Sequence, residues 1–271
     1  MREAIVLCIV AGGGLLFAQN GQQGSRSGWP CTAGRAVDPS YLEVSESTGG
    51  QLFLFQKNEV AQSGVVMSAP YTHPATVLRA VGHLSGTRDF DFPVDSSIES
   101  ILVLVSLQCR NSIQITRPGG SELTQANSAL SVDLQAGRIL RVDHPESGQW
   151  RLRIAGTGLF VLSVLAKTSI ELGHVTLSDE SEPLSAPLLG VPQNLAVRLS
   201  GQVSQVNIQQ VDAASGRITD LGEVEPDSNG TYRTTVVPSV ERFRILVSGI
   251  DSGAWPFQRM APVLFRARPA K

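Results

Sequence analysis

The feature that most constrains this chain is a series of short apolar segments alternating with polar residues, clear from Asp89 onward. Phe90 and Phe92 alternate with aspartates, Ile113 with Ile115, and Leu130 with Val132 and Leu134. Trp150, Leu152 and Ile154 share one parity, while Arg151 and Arg153 share the other. Successive side chains of a strand point to opposite faces, so these segments read as strands with one buried and one polar face. Ile101 to Leu107 is a continuous apolar run, the pattern of a strand covered on both sides. Arg117-Pro118-Gly119-Gly120 reads as a strong turn. Gly156 to Gly158 is expected to turn the chain into a further strand, Leu159 to Leu165. Strands spaced at about 8–12 residues indicate a sandwich or a barrel.

A second β region follows Ser178 to Pro192, whose prolines, acids and serines read as a linker. Leu195, Val197 and Leu199 alternate, and strands are expected at Val206 to Val211, Thr231 to Val237, Phe243 to Val247 and Val263 to Phe265. That pattern fits an immunoglobulin-like or fibronectin-like module. The paired cysteines and tryptophan spacing of antibody domains are absent.

The N-terminal part is less regular. Ala4 to Phe17 follows Arg2 and ends near Ala18, which suggests a secretory signal peptide over residues 1–18. The alternative is a buried strand from Ala4 to Val10. The run is too short to span a membrane as a helix. Gln19 to Pro39 reads as a linker, Tyr41 to Gly50 as a short helix, Leu52 to Phe55 as a buried strand and Asn58 to Met67 as a short helix. Tyr71 to Gly86 has no clear pattern. A lone strand with two short helices has little with which to bury a core, so residues 1–85 are expected to pack loosely.

Composition and motifs exclude several functions. Formal net charge is −2 and no basic block is present. Nucleic-acid binding, which needs clustered lysine and arginine, is therefore not expected. His73, His83, His144 and His174 form no metal-ligand spacing. No nucleophile elbow, P-loop or dinucleotide fingerprint occurs. Asp95-Ser96-Ser97-Ile98-Glu99 resembles a D-x-S-x-S cation motif, but Glu99 stands where the last serine belongs. It reads as a turn in which Asp95 and Ser96 bond nearby backbone. Trp150, after the turn at Pro145-Glu146-Ser147-Gly148, reads as a structural core anchor. No catalytic, cofactor-binding or metal set emerges, and the chain reads as non-enzymatic.

The cysteines are Cys8, Cys31 and Cys109. If residues up to Ala18 are removed, Cys31 and Cys109 remain as a candidate disulfide in an oxidising compartment, or as two free thiols. Asn229-Gly230-Thr231 is an N-glycosylation acceptor and also a turn signal, so Asn229 is expected on an exposed turn.

Tyr41 to Val60, centred on Ser47-Thr48-Gly49-Gly50-Gln51-Leu52-Phe53, resembles the last helix and strand of the von Willebrand A domain in the hemicentin and von Willebrand factor A domain-containing protein 7 family. Phe92 to Ser97, Ile101 to Leu107, Ile113 to Gly120 and Pro145 to Trp150 resemble the module that follows it. Gly249-Ile250-Asp251 through Phe257-Gln258-Arg259 resembles the end of the next, immunoglobulin-like module. The resemblance implies a mainly β architecture. A partial A-domain remnant within 19–85 would be followed by a galactose-binding-domain-like jelly roll at 86–170 and an Ig-like sandwich at 188–268. It also implies a secreted, non-catalytic structural or interaction module of matrix or cell adhesion, whose partner is an extracellular protein or glycan. The alternative is a carbohydrate-binding module that uses the loops of the first sandwich.

Overall fold

The computed structural model describes residues 5–9, 15–19, 37–55, 57–69, 74–179, 182–183 and 186–270. Cys31, the proposed partner of Cys109, lies outside them, and Cys109 itself is half-buried.

The N-terminal apolar run contains strand β1 (Ile5–Ile9). It pairs antiparallel with both β2 (Leu15–Gln19) and β3 (Gln51–Phe55). Helix α1 (Pro39–Thr48) starts on an Asp38 side chain that accepts from the Ser40 amide at 2.9 Å, with proline in its first turn. It ends at Gly49, whose φ of 71° suits glycine. A 3₁₀ turn (Lys57–Gln62) leads into α2 (Ser63–Ser68).

The middle module is built on β4 (Ala75–Val94), β5 (Ile98–Thr116) and β8 (Gly148–Thr168), with β6 (Leu130–Leu134) and β7 (Gly137–Asp143) at one edge. The sheet order is β4-β8-β5-β7-β6, all antiparallel. Strands of some twenty residues are long for a globular domain. They fit because the sheet bends across its middle. Gly86 of β4 lies opposite Gly156 of β8, both at positive φ, and β5 carries register shifts at 107–109 and 110–112 on the same line. Bulges and glycines are the usual means of turning a strand from one layer into the next. The folded sheet closes on one core containing Phe90, Phe92, Ile101, Val103, Ile113, Trp150, Leu152 and Phe160.

Two expectations therefore change. Gly156 to Gly158 bends a single strand instead of separating two. The unpatterned stretch 71–86 holds the start of β4, so the module begins at Ala75 and not at 86. Its glycines and half-buried positions hide the alternation.

Residues 37–69 are not loosely packed. Phe53, Phe55, Val66 and Ala69 join Leu102, Leu104, Val132 and Ile139 in a second core. Alternate residues of β5 thus face opposite ways. Ile101 and Val103 enter the sandwich, whereas Leu102 and Leu104 lie beneath β3 and α2. The segment needs no core of its own because it covers the outer face of the sheet.

The C-terminal module also starts early. β9 (Leu172–Asp179) precedes the expected boundary of 188 and occupies part of the supposed linker. It pairs with β10 (Glu182–Pro183) and, across the sheet, with β12 (Gln193–Leu199). β11 (Leu188–Leu189) lies elsewhere, parallel to the last strand, β19 (Arg268–Pro269). β13 (Val203–Asp212), β14 (Ile218–Glu223), β16 (Arg242–Asp251), β17 (Pro256–Met260) and β18 (Phe265–Arg266) form the opposing sheet. β15 (Thr231–Val236) completes the first sheet beside β12. Leu195, Val197, Ile208, Phe243, Ile245 and Phe257 fill the core between the sheets.

Candidate functional site

The chemistry-bearing residues gather at the junction between the two modules. The turn between β4 and β5 contains Asp95, Ser96 and Ser97, the segment that resembled a cation motif. It serves as a joint. The Asp95 carboxylate accepts from the Ser97 amide at 3.1 Å and from the Ser97 hydroxyl. Its other oxygen pairs with Arg259 of β17 at 2.8 Å, and both side chains are fully buried.

Every guanidinium nitrogen of Arg259 is used. Nε donates to the Ile170 carbonyl at 2.7 Å, Nη1 also donates to the Gln258 carbonyl, and Nη2 donates to Thr168 Oγ1 at 2.9 Å. A buried ion pair is tolerable only when its remaining hydrogen-bonding capacity is met in this way. Beside it, Asp251 accepts from both the amide and the hydroxyl of Ser96. Its other oxygen holds the amides of Gly253 and Trp255 at 2.9 and 2.7 Å. Burial pushes the Asp251 carboxyl up, but hydrogen bonds from Ser96, Trp255 and Gly253 outweigh it and leave the pKa below its ordinary value.

A second joint passes through α1. Glu46 pairs with Arg244 of β16 at 2.6 Å and with Arg79 of β4 at 3.5 Å; all three side chains are buried. Arg242, more exposed, approaches the other Glu46 oxygen at 3.5 Å. Burial draws the Arg244 pKa down against the pull of the Glu46 charge. Arg79 also donates to the carbonyls of Ser45 and Gly50, so a cation satisfies the C-terminal end of α1. A methyl group at Gly49 would meet Pro262 of the C-terminal module at 2.7 Å. The segment before the first module therefore touches both modules and fastens one to the other.

A groove of about 480 Å³ opens beside the first of these joints. One wall comes from β4 and β8 through Asp91 and Gln149, the other from the C-terminal module through Gln205, Asn207, Glu223 and Gln258.

The other sequence-derived positions lie apart from the junction. Trp150 is wholly buried, stacked on Phe92, with its indole N–H on the Glu146 carbonyl at 2.8 Å. Asn229 is exposed at the turn before β15, where Asp227 accepts its amide at 2.9 Å. His83, His144 and His174 are exposed, and His73 lies outside the described residues. Among the described residues no group of three histidine, cysteine or acidic side chains is placed to hold a metal ion. No helix among them is long and apolar enough to cross a membrane. Sequence reasoning missed Glu46, Arg79, Arg244 and Arg259. The available signal was that charged residues interrupt otherwise apolar strands, as Arg244 does between Phe243 and Ile245.

Residues 75–169 match the family model for the hemicentin galactose-binding domain-like module. This span coincides with β4 to β8. Hemicentin-1 of Mus musculus and of Homo sapiens are each 22% identical to the chain over 83% of its length. The chain spans about 4% of those relatives. Among solved structures, the glycoside hydrolase domain of Endo-D from Streptococcus pneumoniae R6 is 12% identical at a TM-score of 0.26, covering 70% of this chain and 33% of that one. A β-1,2-glucanase from Parabacteroides distasonis is 8% identical at 0.23, covering 74% of this chain and 40% of that one. On the family match and the two relatives, residues 75–169 are similar to the hemicentin galactose-binding domain-like module, and the chain resembles hemicentin-1 over most of its length.

Proposed function

We propose that this chain is a non-catalytic extracellular structural and interaction module of a hemicentin-like matrix or cell-adhesion protein. In this reading an Ig-like sandwich is held in a fixed orientation against the galactose-binding-like one. The observation that carries it is the buried, fully hydrogen-bonded Arg259–Asp95 pair at the junction. Domains that move freely share small polar interfaces. A desolvated ion pair has to stay closed, because opening it on one side strands a charge. A fixed angle suits a protein that transmits force or spaces binding sites. The loops of the first sandwich are a weaker place for sugar, since its tryptophan is sealed inside.

The test is expression in a secretory cell line, with intact mass before and after glycosidase, and small-angle scattering of the purified chain. Expected are secretion, a glycan at Asn229 and a profile that matches the compact two-module unit. Arg259→Ala should widen the distance distribution. Retention in the cell without a glycan would overturn the extracellular reading. A broad distribution in the unaltered chain would overturn the fixed joint.

A further inference from the structure

The groove between the modules is unlike an apolar pocket. Gln149, Gln205, Asn207 and Gln258 bring side-chain amides to it from both walls. An amide donates and accepts at once, as a hydroxyl does, so several amides converging on one groove match a ligand dense in hydroxyls. Gln258 is already oriented, because its Nε2 donates to the Val77 carbonyl at 2.8 Å and its Oε1 is left for other partners. Asn207 Oδ1 is buried without a hydrogen-bond partner among the described residues. Such an acceptor is costly until a donor reaches it.

The charges narrow the choice. Asp91 is bound to Arg151 at 2.7 Å, and Glu223 adds a second carboxylate to the lining. The lining residues include no lysine or arginine. Sulfated or carboxylated chains would be repelled, and uncharged ones would not.

At the edge, Trp255 directly precedes Pro256 of the wall and is 42% exposed. Its backbone is pinned by Asp251, so the indole stands on a rigid turn. An exposed aromatic beside converging polar groups is the usual make-up of a site for a ligand with apolar faces and polar edges.

We propose that the groove between the modules binds an uncharged oligosaccharide, whose hydroxyls bridge Gln149, Gln205 and Asn207 while Trp255 packs against a sugar face. This rests on the fixed joint proposed above, because each module supplies one wall.

The experiment is saturation-transfer NMR on the full chain, followed by titration, with cellohexaose, xylohexaose, chitohexaose and a β-galactan tetraose as probes. A heparin hexasaccharide and a lysine-rich decapeptide are the charged comparisons. Expected is saturable binding of at least one neutral probe. It should weaken about tenfold in Gln149→Ala/Gln205→Ala, as the loss of two ordinary hydrogen bonds implies, and also weaken in Trp255→Ala. Scattering profiles of both variants should match the unaltered chain, which separates loss of the groove from loss of the joint. The proposal is overturned if no neutral probe saturates, if only heparin or the peptide does, or if the variants bind like the unaltered chain. A flexible joint in the unaltered chain would overturn it as well, together with the reading on which it rests.

Discussion

A single carboxylate at position 46 faces two buried guanidinium groups and one half-exposed one. Removing it would leave the buried Arg244 guanidinium without its ion-pair partner and take a carboxylate away from Arg79. The expected cost of Glu46→Ala is about 3–5 kcal/mol, as for other broken buried pairs. Replacing Asp89, whose pair with Arg153 lies on the solvent face, should change stability little, since water and salt screen such pairs. Urea denaturation of the two variants checks the contrast, and equal losses would mean that Glu46 is not the keystone of this cluster. The same residue shows what sequence reading lacks. Glu46 sits in a helix of ordinary polar composition, and nothing near it in sequence marks it as buried. Its partners lie on strands that follow it by some thirty and two hundred residues. Alternation reveals which face of a strand is apolar, but not which distant charge will be enclosed.

For whole elements the pattern was far more legible. The strands around Phe92, Ile115 and Trp150 lie where alternation put them, because one face meets a core and the other meets water. The run from Ile101 to Leu107 is a strand covered on both sides, by the sandwich core on one face and by β3 and α2 on the other. The bends were illegible for a physical reason. A glycine inside a strand and a glycine between strands look alike in sequence, and only the partner strand distinguishes them. Here the partner is decisive. A Cβ at Gly156, where φ is 153°, would stand 2.1 Å from the Cys109 carbonyl oxygen. Gly156→Ala should therefore open the fold of the sheet. It would cost roughly 1–3 kcal/mol from backbone strain alone, with the clash in addition. Amide exchange should rise first along β4 and β8 beside the bend. Unchanged protection there would show that the bend does not depend on this glycine.

At the scale of the molecule, two joints of different kind hold one unit together, and the one at the β4–β5 turn includes a carboxylate whose pKa the fold lowers. The Asp251 carboxylate receives the Ser96 amide and hydroxyl from the opposite module and orders the turn that carries Trp255. Its pKa is depressed in the folded chain, with the hydrogen bonds overcoming burial. A group whose folded pKa lies below its unfolded value stabilises the fold above the unfolded pKa, about 3.9 for an aspartate, and loses that contribution as pH falls through the folded value. Asp38, Asp89, Asp212 and Asp227 share this sign, but they are largely solvated and screening keeps their contribution small, so Asp251 at the junction is the group to follow. The discriminating quantity is a difference. Asp251→Asn keeps one acceptor oxygen but cannot titrate. It should be less stable than the unaltered chain at pH 7, and the gap should close as the pH is lowered from about 5 to below 3. Thermal denaturation across that range measures it, and scattering at each pH shows whether the modules part before they unfold. A gap that stayed constant with pH would mean that the charge of Asp251 does not contribute to the joint. That would leave the Arg259–Asp95 pair and the Glu46 cluster to hold the modules together.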